Sequence, residues 1–367
     1  MLINELVKFS NKYGSNPDLV LAGGGNTSAK KNGRMWVKGS GTSLATITAE
    51  GFVEMELSKL NQIFENEYPD SDDEREAMVL KDLMAARAEG SQDKRPSVET
   101  TLHGLFEYTY VLHLHPALVN GLTCSKGGEK TAREIIKRDF IWIEQCKPGY
   151  VLAKICFDKM SEYKAEKGIP CDMLLLENHG IFVAGNTTDE LEEKLMFVID
   201  ALTSAICESP DFTAEEDVID TTIVKSKLLK LYPEDSVCVE VPCGVSSKFC
   251  DSKDVSTELL KPFTPDHIVY CRAYPLWLET ADEAETKLSE YRDRNGCNPR
   301  VIMVKGVGVF CIGDNEKQAK TACMLFEDAA KIAVYSRSFL GASHMTDELT
   351  DFIVNWEVES YRSAKNA

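Results

Sequence analysis

Residues 110–116, Tyr-Val-Leu-His-Leu-His-Pro, contain the pattern on which the expected fold and its chemistry depend. The apolar run predicts a strand, and the proline predicts where that strand ends. Successive side chains of a strand point to opposite faces, so the imidazoles of His113 and His115 are expected on the same face. Two imidazoles at this separation can chelate one metal ion.

A second stretch supplies a third histidine. Residues 173–185, Met-Leu-Leu-Leu-Glu-Asn-His-Gly-Ile-Phe-Val-Ala-Gly, predict a buried strand, a turn that contains His179, and a returning strand. Neutral imidazoles suit zinc, and three protein ligands leave one position open for a substrate, as in catalytic zinc sites. The alternative is that the paired histidines are a coincidence and His179 a simple turn residue. Three of the six histidines fall at these places, which favours the metal.

An acidic residue precedes this strand in the chain. Ser97 is predicted to cap a helix that runs through Glu99 to Phe106. Glu99 is the candidate acid/base or fourth metal ligand. The alternative is a first-turn glutamate that only complements the helix dipole.

Two glycine-rich loops form the second group of candidate residues, at 23–28 (Gly-Gly-Gly-Asn-Thr-Ser) and 39–42 (Gly-Ser-Gly-Thr). Their backbone N–H groups and short hydroxyls are suited to phosphate oxygens. Neither loop matches a P-loop or the dinucleotide fingerprint, so nothing indicates a nicotinamide cofactor. The alternative is that both are ordinary tight turns.

Composition excludes several classes of protein. The formal net charge of −18 argues against a nucleic-acid partner, and no apolar run is long enough for a membrane partner. The twelve cysteines are not those of a short disulfide-rich chain, and we expect them reduced in a cytoplasmic protein. Cys238, Cys243 and Cys250 lie close together in sequence, but their spacing fits no zinc finger.

The C-terminal part contains an apparent repeat. A loop-like composition at 208–218 indicates a domain boundary, and the segment 303–313 resembles 175–185. Superposing the prolines aligns 270–277 with 111–118. In this alignment Arg272, Tyr274 and Val307 take the places of the three histidines, so the repeat is expected to keep the fold and lose the metal.

Taken together, the motifs resemble the class II aldolase/adducin family over residues 1–205. Within it they are most similar to the aldolase region of long bacterial proteins that join rhamnulose-phosphate aldolase to an alcohol dehydrogenase. The residues that carry the resemblance are Gly25-Asn26-Thr27-Ser28, Ser40-Gly41, Pro96-Ser97-Val98-Glu99, His113-Leu114-His115-Pro116 and Glu177-Asn178-His179-Gly180.

The resemblance implies an α/β fold, a three-layer α/β/α domain around a mixed sheet, here followed by a degenerate repeat of the same type. We therefore expect a zinc-binding aldolase domain at residues 1–210 and a repeat without metal ligands at 211–367. Since no dehydrogenase region follows, the chain is expected to be a free-standing aldolase portion with an extra C-terminal segment.

The resemblance also implies the site. It implies a Zn²⁺ ion on His113, His115 and His179, Glu99 as acid/base or displaceable ligand, and a substrate phosphate on Asn26, Ser40, Gly41 and Ser97. The family's second serine before the glutamate is Val98 here, which puts one phosphate contact in doubt.

The implied reaction is cleavage of a ketose 1-phosphate, such as rhamnulose or fuculose phosphate, to dihydroxyacetone phosphate and an aldehyde, by a homo-oligomer. Two alternatives remain open. The same metal site serves sugar-phosphate 4-epimerases and a dehydratase, and adducin heads are scaffolds without catalysis.

Overall fold

The computed structural model describes residues 2–213 and 220–356, apart from the side chains of residues 243 and 247. The described chain forms two compact units. The N-terminal unit comprises the residues up to Val119 together with Glu129–Ala205, and the C-terminal unit comprises Asn120–Gly128 together with the described residues from Ile206 onward. Of the loop-like stretch expected at the boundary, residues 214–218 lie outside the described residues.

The N-terminal unit is built on a seven-stranded mixed sheet. Its strands are β1 (Asn26–Lys31), β2 (Arg34–Lys38), β3 (Phe52–Glu56), β4 (Tyr110–Leu114), β5 (Ile141–Ile143), β6 (Met173–Leu176) and β7 (Gly180–Gly185). They lie in the order β3-β2-β1-β4-β7-β6-β5. Only β5 and β6 are parallel, and the other neighbouring pairs are antiparallel. Strand β4 is central and buried along its whole length, as its apolar sequence predicts.

Helices cover both faces of this sheet. The helices of this part of the chain are α1 (Leu2–Gly14), α2 (Leu57–Gln62), α3 (Asp72–Ala85), α4 (Thr100–Leu105), α5 (Ala117–Thr123), α6 (Gly128–Ile135), α7 (Tyr150–Lys167) and α8 (Thr188–Ala205), of which most of α5 and the first residue of α6 belong to the C-terminal unit. Adjacent side chains of β1 point to opposite faces of the sheet. Thr27 bonds to Ser10 of α1 on one face, and Ser28 bonds to His103 of α4 on the other. Helices α4 and α7 share one apolar core, whereas α1 and α8 are joined on the other face by a Lys12–Glu192 ion pair. The predicted three-layer α/β/α arrangement is confirmed.

The C-terminal unit has a smaller sheet. Its strands are β8 (Val237–Glu240), β9 (Leu276–Leu278), β10 (Val301–Val304) and β11 (Gly308–Gly313), in the order β8-β11-β10-β9. Its helices are α9 (Thr222–Leu229), α10 (Cys243–Phe249), α11 (Lys253–Ser256), α12 (Pro265–Cys271), α13 (Ala284–Asn295), α14 (Glu316–Arg337) and α15 (Asp347–Asn355). No helix of the described ranges in either unit is long and apolar enough to cross a membrane.

The smaller sheet repeats half of the larger one. β8-β11-β10-β9 has the same order and the same strand directions as β4-β7-β6-β5. Asn178 and Gly306 occupy the same turn position in the two copies, with φ of 55° and 62°. The N–H of the following residue bonds back to the preceding strand in both, from His179 to Leu176 and from Val307 to Val304. Val307 therefore stands in the place of His179.

The other half of the sequence alignment is wrong. Residues 270 and 271 end helix α12, and Arg272 and Tyr274 lie between that helix and β9. The counterpart of β4 is β8, in which Glu240 lies opposite Phe310 as His113 lies opposite Phe182. The alignment failed because Pro275 precedes β9 and does not follow the strand that corresponds to β4, and Pro242 takes the place of His115. Glu240, and not Arg272, takes the place of His113, so the second copy still lacks that imidazole.

Candidate metal centre

Three imidazoles and one carboxylate meet at the end of the central strand. One ligand atom from each of Glu99, His113, His115 and His179 can be chosen so that all four lie within 4.8 Å of one another. The Nε2 atoms of His113 and His115 are 2.8 Å apart. Among the described side chains, this is the one group of three or more potential ligand residues of this kind. Cys238 and Cys250 are buried outside such a group, and the side chain of Cys243 lies outside the description.

The β6–β7 turn brings His179 to β4. Gly180 allows the approach, because a Cβ atom at this position would lie 2.4 Å from the oxygen of Leu114 and 2.9 Å from Cδ2 of His115. Asn178 takes the left-handed conformation and accepts a hydrogen bond from the side chain of Gln145. The chain is thus held in a tight turn whose next side chain reaches the histidines of β4.

His113 is oriented by its surroundings. Its Nδ1 lies 3.0 Å from the oxygen of Ile181 and donates to it, so Nε2 keeps its lone pair for a metal. The ring of Phe182 stacks on the imidazole at 3.9 Å with an interplanar angle of 11°. Burial lowers the pKa of His113 to about 4, more than the nearby Glu99 raises it. A neutral imidazole with a fixed tautomer is the form that binds zinc, so the donor set fits that ion.

Glu99 lies between the histidines. It is the residue that precedes α4, and its Oε1 is 3.0 Å from Nε2 of His113 and 3.2 Å from Nε2 of His179. Its Oε2 accepts from Nδ2 of Asn26 at 3.4 Å. Burial opposes ionisation, but the two histidines outweigh it and hold the pKa of Glu99 well below its usual range. The carboxylate is therefore ionised, in contrast to the near-neutral pKa expected of a proton donor.

Two of the four predicted phosphate residues, Asn26 and Ser97, bond directly to Glu99. Asn26 contacts Glu99, and its Oδ1 is buried with no hydrogen-bond partner in the described chain. Ser97 does not cap the helix as predicted. Instead its Oγ accepts from the N–H of Glu99 at 3.3 Å, in a turn before α4. Ser40 donates its N–H to the oxygen of Arg95 at 2.8 Å, so the loop with Ser40 and Gly41 runs beside the Ser97 segment.

Sequence reasoning missed Lys38, which joins the three loops. Its Nζ is buried and donates to the oxygens of Gly23 and Gly25, each at 2.7 Å, and to that of Gly24 at 3.4 Å. Its own oxygen accepts from the N–H of Ser97 at 3.3 Å. A lysine after an apolar strand gives no signal of burial, since the carbonyl partners depend on the path of a distant loop.

His103 is the second residue that the sequence did not indicate. It is fully buried, its Nδ1 is 2.8 Å from Oγ of Ser28, and its ring packs edge-on against Phe182. Burial holds the pKa of His103 well below its usual range. His103 thus supports the ring that stacks on His113.

Comparison with known proteins agrees with this geometry. The sequence profile of the Class II Aldolase and Adducin N-terminal domain matches residues 4–205. The Uncharacterized oxidoreductase YuxG of Bacillus subtilis (strain 168) is 26% identical over 419 residues, which cover 98% of this chain and 58% of that protein. This chain therefore spans less than two thirds of the length of that relative.

Similar structures have been solved. An N-terminal class II aldolase domain from Thermoplasma acidophilum is 27% identical, with a TM-score of 0.47, over 55% of this chain and 92% of that one. The L-fuculose-1-phosphate aldolase from Thermus thermophilus is 18% identical, with a TM-score of 0.35, over 55% of this chain and 90% of that one.

Proposed function

The chain belongs to the class II aldolase and adducin family, and from this membership we propose that it is a metal-dependent aldolase acting on a ketose 1-phosphate. The observation that carries the proposal is the convergence of Glu99 with His113, His115 and His179. A scaffold has no need of a buried carboxylate among three imidazoles. The reaction would be reversible cleavage to dihydroxyacetone phosphate and an aldehyde, with rhamnulose or fuculose phosphate as the sugar.

Zinc is the metal that we propose for this site. His113, His115 and His179 would hold it, with Glu99 as a fourth ligand that substrate displaces. The bound ion would act as a Lewis acid and stabilise the negative charge that develops on the substrate oxygens. The hydrogen bond from His113 to Ile181 supports this assignment, because it fixes the tautomer that a metal requires.

Glu99 would be the acid/base. In the synthetic direction the ionised carboxylate would remove a proton from dihydroxyacetone phosphate. In the cleavage direction the same carboxyl group would return that proton to the dihydroxyacetone phosphate that forms. Asn26 supports this role, since its Nδ2 contacts Oε2 and orients the group. Ser97 lies two residues before Glu99, so a phosphate held there would also place the reacting carbon near the carboxylate.

The substrate phosphate would lie on Asn26, Ser40, Gly41 and Ser97. Lys38 supports this proposal, because its three bonds to carbonyl oxygens fix the conformation of the 23–25 loop. An ordered loop binds an anion without a further entropic cost of ordering. The binding energy of the phosphate could then assist the chemical step at a distance from the bond that breaks.

Further parts of the proposal concern the whole protein. We propose a cytoplasmic homo-oligomer, with residues 1–210 as the aldolase domain and 211–367 as the repeat without metal ligands. Light scattering would test the oligomer. The name of the Bacillus relative indicates an oxidoreductase, but this chain covers only part of that protein.

The test is metal analysis together with an assay of cleavage. Purified protein is analysed for zinc and then incubated with rhamnulose 1-phosphate or fuculose 1-phosphate while dihydroxyacetone phosphate is measured. We expect cleavage by the parent and none by Glu99→Gln. Glu107→Gln is the matched control, because Glu107 is exposed and its ion pair within the described residues is with Lys164.

Other outcomes would decide between the alternatives. Zinc without cleavage would direct the search to 4-epimerase or dehydratase substrates. If the purified protein contains no zinc and takes up none when zinc is added, the catalytic proposal is wrong and a non-enzymatic scaffold is the remaining alternative. Oxidation of NADH or NADPH with an aldehyde in the same samples would instead support the activity that the relative's name indicates.

A further inference from the structure

Three arginines of the C-terminal unit surround the loop that leads into β10. Arg272 follows α12, Arg292 lies near the end of α13, and Arg300 directly precedes β10. Arg272 donates from Nη1 to the main-chain oxygen of Asn298, and Arg292 donates from Nε to the side-chain oxygen of the same residue. Arg272 also has a φ of 61°, a conformation that is costly for any residue with a side chain. Two guanidinium groups thus meet at one residue, and the third follows two positions later.

These three arginines share one feature of their electrostatic surroundings within the described residues. In the described part of the chain, none of them lies within 4.0 Å of an acidic oxygen. Five other arginines do form such ion pairs, namely Arg34, Arg75, Arg133, Arg138 and Arg337. Arg87 and Arg294 likewise have no ion pair in the described chain, so Arg272, Arg292 and Arg300 are distinguished by lying together around one loop.

The neighbouring charges act on Arg300 in a consistent way. Burial and then the positive charge of Arg272 lower the pKa of Arg300, whereas Asp314 acts in the opposite direction from beyond ion-pair distance. Like charges at close range repel each other in a partly buried environment. An anion between these groups would remove that repulsion.

The loop around the arginines is held in place. Arg300 donates to the oxygens of Val269 and Tyr270, at 3.4 and 3.2 Å, and so caps the C-terminal end of α12. Tyr232 donates its hydroxyl to the oxygen of Pro299 at 2.7 Å. The helix cap explains why a positive side chain is present at Arg300. It does not explain the positive charges of Arg272 and Arg292.

We propose that Arg272, Arg292 and Arg300 form a binding site for a phosphate group, either inorganic phosphate or a phosphate monoester. A guanidinium group carries five N–H donors, of which Arg272 uses one and Arg292 two within the described chain. Guanidinium groups bind phosphate oxygens with paired N–H donors, and a phosphate has enough oxygens to accept from more than one guanidinium group. All three arginines belong to the C-terminal unit, and the proposal does not depend on the proposed aldolase activity.

The experiment is site-resolved chemical protection of the whole protein. Phenylglyoxal modifies accessible arginines, and mass spectrometry of peptides gives the rate at each position. The rates are measured with inorganic phosphate, with methyl phosphate and with sodium chloride at equal ionic strength. Arg294 is the internal control, because it is exposed on the same helix as Arg292 and has no ion pair in the described chain.

We expect selective protection of the three arginines. At a ligand concentration ten times the dissociation constant, the rates at Arg272 and Arg292 should fall about tenfold, since the free fraction is one part in 1+[L]/Kd. Protection by one ligand alone would identify the phosphate source. Equal rates in all three salts, or equal protection of Arg294, would overturn the proposal.

A variant provides a second test. Arg272→Gln should remove the protection of Arg292 by phosphate, while Arg294→Gln should leave it unchanged. Persistence of the full protection in a folded Arg272→Gln protein would also overturn the proposal.

Discussion

Replacing Lys38 by methionine removes a buried cation and leaves the oxygens of Gly23 and Gly25 without their donor. Each buried carbonyl that loses its hydrogen bond costs about 1–3 kcal/mol. Part of this cost is offset because burying the apolar methionine side chain avoids the desolvation free energy that burying an ammonium group requires. We therefore expect Lys38→Met to lower the free energy of unfolding by about 2–4 kcal/mol.

The assay is urea unfolding followed by tryptophan fluorescence, since Trp36 lies on the same strand as Lys38. Lys31→Met is the matched control, because Lys31 is exposed, and it should change the free energy by no more than about 0.5 kcal/mol. In the folded variant we expect a higher KM for the phosphorylated substrate with an unchanged zinc content. A loss of stability below about 1 kcal/mol would refute the reasoning, because it would mean that the three carbonyls do not depend on this ammonium group.

Two further predictions concern packing and pH. Gly180→Ala places a Cβ atom 2.4 Å from the oxygen of Leu114, so we expect it to lower the free energy of unfolding by about 1–3 kcal/mol and to weaken zinc binding about tenfold or more. The control is Gly104→Ala, because the nearest atom to its added Cβ would be 3.7 Å away. In the same zinc titration and urea unfolding, this variant should match the parent. Burial lowers the pKa of Lys30 to about 7, so the unfolded chain binds more protons than the folded one above that pH, and stability should rise with pH between about 7 and 10 through this group. Urea unfolding of Lys30→Met should show a smaller rise than the parent, and identical pH profiles would contradict the prediction.

Local sequence patterns were enough to predict the elements that carry the candidate metal ligands. The alternation that begins in β4 and continues into the next residue places His113 and His115 together, and the turn after β6 presents His179, because strand period and turn chemistry are local properties. The helix before β4 was also predicted, through Glu99 to Phe106, and is observed as α4 at Thr100–Leu105.

Features that depend on long-range contacts could not be predicted. The bonds of Lys38 and the contact of His103 with Phe182 depend on how distant segments meet. Burial alone would raise the pKa of Glu99, but two histidines from distant parts of the sequence lower it. The alignment of the repeat failed at Arg272 for the same reason, since one proline cannot fix a register that strand pairing decides.

The central claim is that His113, His115 and His179 hold one zinc ion. The most direct measurement is zinc stoichiometry together with X-ray absorption at the zinc edge, on the parent and on His115→Ala. We expect one zinc per chain with nitrogen or oxygen ligands at about 2.0–2.1 Å, and loss of most of the metal in the variant. Sulfur ligands at about 2.3 Å, or a full zinc content in His115→Ala, would contradict the account, because the metal would then be bound elsewhere, at cysteines in the first case.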